Sequence, residues 1–140
     1  MEATKQAITI SSTIQQPAAK VWEFWNAPEH ITQWCAASDD WHAPKASSDL
    51  RPGGAFSTTM AAKDGSFSFD FGGIFDVVEP HSRIEYTLGD GRKVKINFTE
   101  ANGQTEVVET FDPEDTNPED MQRAGWQAIL DNFKKYAESK

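Results

Sequence analysis

The stretch Phe67-Ser68-Phe69-Asp70-Phe71-Gly72-Gly73-Ile74-Phe75-Asp76-Val77-Val78-Glu79-Pro80 decides the fold. Phe67, Phe69 and Phe71 recur every second residue, which places three rings on one face of a strand and Asp70 on the solvent side. The pair Gly72-Gly73 falls inside that pattern rather than at its end, so it predicts a bulge or sharp bend within the strand. Glu79-Pro80-His81 then closes the strand with turn chemistry. A long strand bent in its middle belongs to a curved sheet.

The neighbouring segments repeat the theme. Phe56, Thr58 and Met60 alternate on one side of the bend; Ile84, Tyr86 and Leu88, then Val94, Ile96 and Phe98, then Val107 with Phe111 alternate on the other. Pro52-Gly53-Gly54, Lys63-Asp64-Gly65, Gly89-Asp90-Gly91 and Asn102-Gly103 separate them. Such short links, with Asp-Gly and Asn-Gly at their corners, require antiparallel neighbours. Residues 42–112 therefore read as six antiparallel strands, and the alternation over residues 4–14 (Ile8, Ile10, Ile14) adds a first one.

Helices bracket this block. Pro17 and Pro28 stand where first helical residues belong, and each opens a short helix, the first carrying Val21, Trp22, Phe24 and Trp25, the second Ile31, Trp34 and Cys35. Residues 112–120 form an acidic, proline-stiffened linker, in which Asp112, Glu114, Asp115, Glu119 and Asp120 lack the glycine and ligand alternation of a calcium loop. Asn117 is expected as N-cap and Pro118 as first residue of a helix running to about 138. Its apolar stripe is Trp126, Ile129, Leu130, Phe133 and Ala137. Gly125 interrupts that helix, which predicts a close backbone approach. The expected architecture is α+β, one domain over residues 1–140: a curved antiparallel sheet of about seven strands, two short helices after the first, and a long C-terminal helix packed on the sheet. One amphipathic helix cannot fill the space under seven bent strands at every depth, so an apolar cavity is expected between them.

Composition narrows the function. With 22 acidic and 13 basic residues the chain carries a net charge of −9, which a nucleic acid repels. No window is long and apolar enough to insert in a bilayer. The first six residues lack the basic and apolar segments of a secretory signal, and Cys35 is the only cysteine, so no internal disulfide forms; a cytoplasmic protein is expected. The spacing of His30, Cys35, His42 and His81 matches no metal site, no Gly-x-Ser-x-Gly elbow is present, and Cys35 has no recognisable base, so neither metal, cofactor nor catalytic residue is assigned. His30 and His81 read as surface residues, and Arg51 as a charge at a strand end.

Three ordered runs carry a resemblance: Asp49-Leu50-Arg51-Pro52-Gly53-Gly54-Ala55-Phe56, Phe71-Gly72-Gly73-Ile74-Phe75-Asp76-Val77-Val78-Glu79-Pro80, and Gly125-Trp126-Gln127-Ala128-Ile129-Leu130-Asp131-Asn132-Phe133. Together with Pro17-Ala18-Ala19-Lys20-Val21-Trp22 and Pro28-Glu29-His30-Ile31-Thr32-Gln33-Trp34, they resemble the family of homologues of the Hsp-90 ATPase activator, within the SRPBCC or START-like superfamily. The likeness spans residues 7–137. It implies a helix-grip fold with a cavity under the last helix, and it does not imply one activity, since relatives bind hydrophobic ligands, act as co-chaperones or turn over polyketide-like substrates.

The expected ligand-contacting residues are Trp34, Trp41, His42, Met60, Phe69, Phe71, Trp126, Ile129 and Phe133. His42 beside Trp41 is the candidate polar group at the mouth. The favoured reading is binding of a small hydrophobic or amphipathic molecule. An enzyme acting on a hydrophobic substrate is the first alternative, and two or more buried titratable groups in the cavity would speak for it. A co-chaperone-like interaction module is the second, recognisable by an exposed apolar face.

Overall fold

The computed structural model describes residues 7–36, 38–114 and 117–140. In chain order the elements are β1 (Ile8–Ile14), α1 (Ala18–Asn26), α2 (Pro28–Trp34), β2 (Trp41–Ser48), β3 (Ala55–Ala62), β4 (Ser68–Glu79), β5 (Arg83–Leu88), β6 (Lys93–Ala101), β7 (Gln104–Phe111) and α3 (Glu119–Glu138). The strands form a single antiparallel sheet in the order β1-β7-β6-β5-β4-β3-β2. The hairpins β2 to β7 follow one another along it, and β1 closes onto β7, so the chain's first strand and last strand are neighbours.

The turns work as their residues dictate. Asn102 and Gly103 both have positive φ (56° and 78°), the two left-handed corners that a two-residue hairpin between β6 and β7 needs. Gly72 and Gly73 serve a different end. The β3–β4 ladder runs through them without interruption, and the register shift of β4 lies further on, between Phe75 and Val77 against β5. What the two glycines supply is proximity: a Cβ on Gly72 would collide with the Phe56 carbonyl oxygen, and one on Gly73 with that of Thr87. The expected bend is thus a close approach of three strands at two positions without side chains, with the bulge displaced along β4 to Asp76.

The concave face holds the core. Ile8, Ile10 and Ile14 of β1, Ile84 of β5, Val94 and Ile96 of β6, and Val107 and Phe111 of β7 point inward and are nearly inaccessible. α1 and α2 close one end of the sheet through Val21, Trp22, Phe24 and Trp34. Along α3 the fit to this core is uneven. Leu130, Phe133 and Ala137 are fully buried, whereas Ile129 and Trp126, about one and two turns before Phe133, are only partly covered. α3 runs along β1, with Arg123, Gln127 and Lys134 reaching the carbonyls of Thr9, Ser11 and Thr13. The helix is therefore tied along β1 over most of its length; its C-terminal half also packs down onto the core, whereas beside its N-terminal half the space above β3, β4 and β5 stays open.

Some local expectations change. α3 begins at Glu119 with Pro118 as N-cap. Asn117 instead donates from Nδ2 to Glu114 Oε1 at 2.6 Å. His30 is tied to the Tyr136 hydroxyl at 2.6 Å, so it is a packed helix residue rather than a surface one. Arg51 pairs with its neighbour Asp49 at 2.9 Å. Asp115 lies outside the described residues. No helix among the described residues is long and apolar enough to cross a membrane.

Candidate functional site

The space beneath the N-terminal half of α3 is a cavity of about 370 Å³. Its floor is the concave face of β3, β4 and β5, contributed by Phe56, Thr58, Met60, Phe71, Phe75, Ile84 and Tyr86. Its roof is one stripe of α3, Met121, Gln122, Gly125, Trp126 and Ile129, spaced at three and four. Trp25, Ile31, Trp34 and Cys35 close the inner end, and Phe69, Glu114 and Asn117 border the mouth. Phe69 is 45% exposed and Met121 60%, which marks the side open to solvent.

The aromatic walls are braced by one another. Trp126 stacks flat on Phe111, 3.9 Å between centroids at 8°, while Phe71 meets it edge-on at 5.9 Å. Phe56, Phe75 and Tyr86 form a second group with centroids 4.7 to 6.3 Å apart. Trp34 donates its indole N–H to the Phe24 carbonyl at 2.8 Å, so it offers the cavity only an apolar face. Gln122 holds the mouth: its Oε1 accepts from the Glu114 amide at 2.8 Å and its Nε2 donates to the Asn117 carbonyl at 2.7 Å. These bonds fasten the linker after β7 to the first turn of α3.

Gly125 sits in the middle of the roof stripe. An ideal Cβ there would find nothing within 4 Å. The expected close backbone approach is absent, and the glycine instead leaves the cavity deeper by one side chain.

Of the residues expected to meet a ligand, Trp34, Met60, Phe69, Phe71, Trp126 and Ile129 line the cavity together. Trp41, His42 and Phe133 do not. Trp41 packs beyond the mouth against Phe67 and Phe69, each 6.1 Å away. His42 points from the outer side of edge strand β2, because its neighbour Ala43 takes the inward position and the strand shifts register between His42 and Lys45. Phe133 is fully buried between Trp25 and Trp34, both at 4.8 Å, and belongs to the core behind the inner wall.

The polar groups of the site are ones the sequence reading passed over. Glu109, in the middle of β7, shares the inward face with Thr105, Val107 and Phe111, and is 5% exposed. The same alternation that buries Val107 and Phe111 was the signal for it. Burial pushes its carboxyl from an ordinary 4.5 up to about 8. Tyr86 is likewise raised well above its usual value, first by burial and then by the neighbouring Glu109 charge. Burial, with Glu109 again adding, lifts the Cys35 thiol to about 12; its Sγ lies 3.6 Å from Met60 Sδ. At neutral pH the cavity thus presents a carboxylic acid, a phenol and a thiol, all holding their protons.

Comparison with known proteins follows the same outline. The family model described as Activator of Hsp90 ATPase homolog 1-like protein matches residues 15–138. A solution structure of an AHSA1-like protein from Aeromonas hydrophila is 47% identical, covers 94% of this chain and 93% of its own, and superposes with a TM-score of 0.86. A solution structure of a protein from Cytophaga hutchinsonii is 56% identical over 95% of this chain and 92% of its own, with a TM-score of 0.82. A crystal structure of a protein from Nitrosomonas europaea, 20% identical over 96% and 95% of the two chains, shares the fold at a TM-score of 0.83. None of the curated proteins matches this sequence.

Proposed function

This chain belongs to the Activator of Hsp90 ATPase homolog 1-like family, and we propose that it binds a small, mostly apolar molecule in the cavity between its sheet and α3. The observation that carries the reading is the roof. A helix seated by Leu130, Phe133 and Ala137 at one end spans about 370 Å³ at the other, with Gly125 at its centre where any larger side chain would occupy the space. That volume lies within the range of small-molecule sites, roughly 300–1,000 Å³, and its aromatic lining with a few convergent polar groups has the character of such sites.

Binding is favoured over turnover by the protonation of the interior. A general base or thiolate nucleophile has to be ionised near the working pH. Burial holds Cys35 as a thiol and Glu109 as an acid, and His42 faces away from the cavity. The enzyme reading has in its favour the feature named for it above, buried titratable groups in the cavity: Glu109 and Tyr86 could polarise a substrate oxygen, and a carboxyl at about 8 suits a general acid. An activator-type protein interaction, which the family description suggests, requires a continuous exposed apolar face. Phe67 and Phe69, both exposed, cluster with Trp41 at 5.9 to 6.1 Å and keep that reading open, but Phe69 and the exposed Met121 lie at the cavity mouth and so serve ligand entry equally well. A single free thiol, half-buried at the cavity wall, suits a reducing compartment, so the proposed site of action is the cytoplasm.

Native mass spectrometry of freshly purified protein, combined with a thermal-shift screen of neutral hydrophobic compounds, tests the proposal. The expected result is a co-purifying mass or a saturable stabilisation, ~2.7 kcal/mol at one hundred times the dissociation constant. A broad screen with no shift, and a spectrum of bare protein only, would remove it.

A further inference from the structure

We propose that the cavity orients its ligand by a single neutral oxygen: an apolar molecule places a ketone-type carbonyl oxygen between the Glu109 carboxyl and the Tyr86 hydroxyl, and both donate to it. This rests on the binding function above and specifies the chemistry of the ligand.

The sheet register puts the two groups on one wall. Ile84 pairs with Ile96 and Ile96 with Glu109, while Tyr86 pairs with Val94 and Val94 with Phe111. Glu109 and Tyr86 thus occupy adjacent rows of the same concave face, two strands apart at ~4.8 Å per strand, a gap that a tyrosine and a glutamate side chain together span. Both border the cavity and neither side chain is hydrogen-bonded to another described group, yet neither is sealed off from access; their oxygens open onto the cavity. Glu109 is 5% exposed as a residue and its carboxyl is reached only through the cavity, so the group that satisfies it has to come from inside that space. A ligand atom supplies what the fold leaves out.

The neighbouring groups fix the polarity of that atom. Buried as they are, the Glu109 carboxyl and the Tyr86 phenol keep their protons and face the cavity as donors, so the complementary atom is an acceptor. Arg92, the one basic residue of the lining among the described residues, is already paired with Asp90 at 2.7 Å and so leaves no free cation there to hold an anionic ligand. An ammonium group has no lone pair for either donor and would be matched only after Glu109 gave up its proton. A carboxylate would carry a full charge into an apolar cavity and meet Glu114 at the mouth. A neutral carbonyl oxygen avoids both costs and accepts two hydrogen bonds through its two lone pairs.

The test uses three naphthalenes of nearly equal size, bearing an acetyl, an ethyl or an aminomethyl group, titrated at neutral pH by calorimetry. The acetyl compound is expected to bind roughly tenfold or more tightly than the ethyl compound, since only it satisfies the buried donors. Its carbonyl stretching band should move to lower frequency on binding. Tyr86→Phe and Glu109→Leu should each reduce the acetyl-to-ethyl ratio severalfold and move the band back; Glu109→Leu removes a buried acid and is expected to fold at least as well as the parent. Equal affinities for acetyl and ethyl compounds, with an unshifted band, would overturn the oxygen site while leaving apolar binding intact. Preference for the aminomethyl compound would reverse the assigned polarity and overturn it too. If none of the three binds, the cavity's binding function fails with it.

Discussion

Replacing Glu109 by Gln should make the protein's stability far less sensitive to pH, by an amount the structure allows to be worked out. Glutamine keeps the length and shape of the side chain and cannot ionise. In the unfolded chain the Glu109 carboxyl titrates at its ordinary 4.5, and in the folded protein at about 8 because β7 buries it. Below 4.5 both states hold the proton and the full stability is present. As pH rises the unfolded state releases the proton while the folded state retains it, so stability falls by ~1.4 kcal/mol per pH unit until the folded carboxyl also ionises near 8. Across that whole window the loss totals about 5 kcal/mol, and between about pH 5 and about pH 8 it is roughly 3–4 kcal/mol. The charged and titratable groups lining the same cavity are Cys35 at the end of α2, Tyr86 on β5, Arg92 in the following turn and Glu114 in the linker; α3 and β3 contribute only neutral side chains. Cys35 and Tyr86 are pushed above this window, so they do not share the transition. Urea denaturation followed by tryptophan fluorescence at the two pH values, for parent and Glu109→Gln, gives the comparison. The variant's advantage should grow by about 3–4 kcal/mol from the lower to the higher pH. Parallel behaviour of the two proteins, within ~1 kcal/mol, would show that the carboxyl titrates normally, and the reasoning about a protonated interior would be wrong.

Other outcomes follow from single residues. Gly125→Ala should stabilise α3 by up to about 1 kcal/mol, measured by thermal denaturation, because its Cβ meets open space and helix propensity then decides the sign. Gly73→Ala should do the opposite, costing about 1–3 kcal/mol or preventing folding, as its Cβ would be forced onto the Thr87 carbonyl where β4 and β5 approach closely. Cys35 should resist alkylation by iodoacetamide in the native protein at mildly alkaline pH and react promptly in urea, since its thiol is raised to about 12 by burial; fast native labelling would contradict that.

The sheet and helices were legible in the sequence because their signals are local. Period-two alternation, Pro17 and Pro28 at helix starts, and Asn102-Gly103 at a hairpin corner each act within a few residues. The cavity lining was legible only where its residues lie on elements of regular pattern: Met60, Phe69 and Phe71 on strands, Trp126 and Ile129 on the stripe of α3. Trp41 and His42 went astray because β2 is an edge strand with Pro44 in its irregular region, so parity along it does not give facing. Phe133 has the same helical spacing as Trp126, and nothing local tells that α3 is seated at one residue and lifted at the other. That difference is set by α1 and α2, whose Trp25 and Trp34 fill the space around Phe133. Gly125 carried a signal that has two opposite physical meanings, close approach or empty space, and only the surroundings choose between them. Glu109 was within reach. A charged residue at the inward position between Val107 and Phe111 is the kind of exception that points to a site.

The most direct measurement is an NMR titration of the parent protein and of Gly125→Leu with ethylnaphthalene. Saturable shifts confined to Phe71, Met121, Gly125, Trp126 and their neighbours in the parent, and absent when a leucine side chain occupies the roof, are the result expected of a ligand lodged between sheet and helix. Shifts that never saturate, fall on the convex face, or persist unchanged in Gly125→Leu would contradict it.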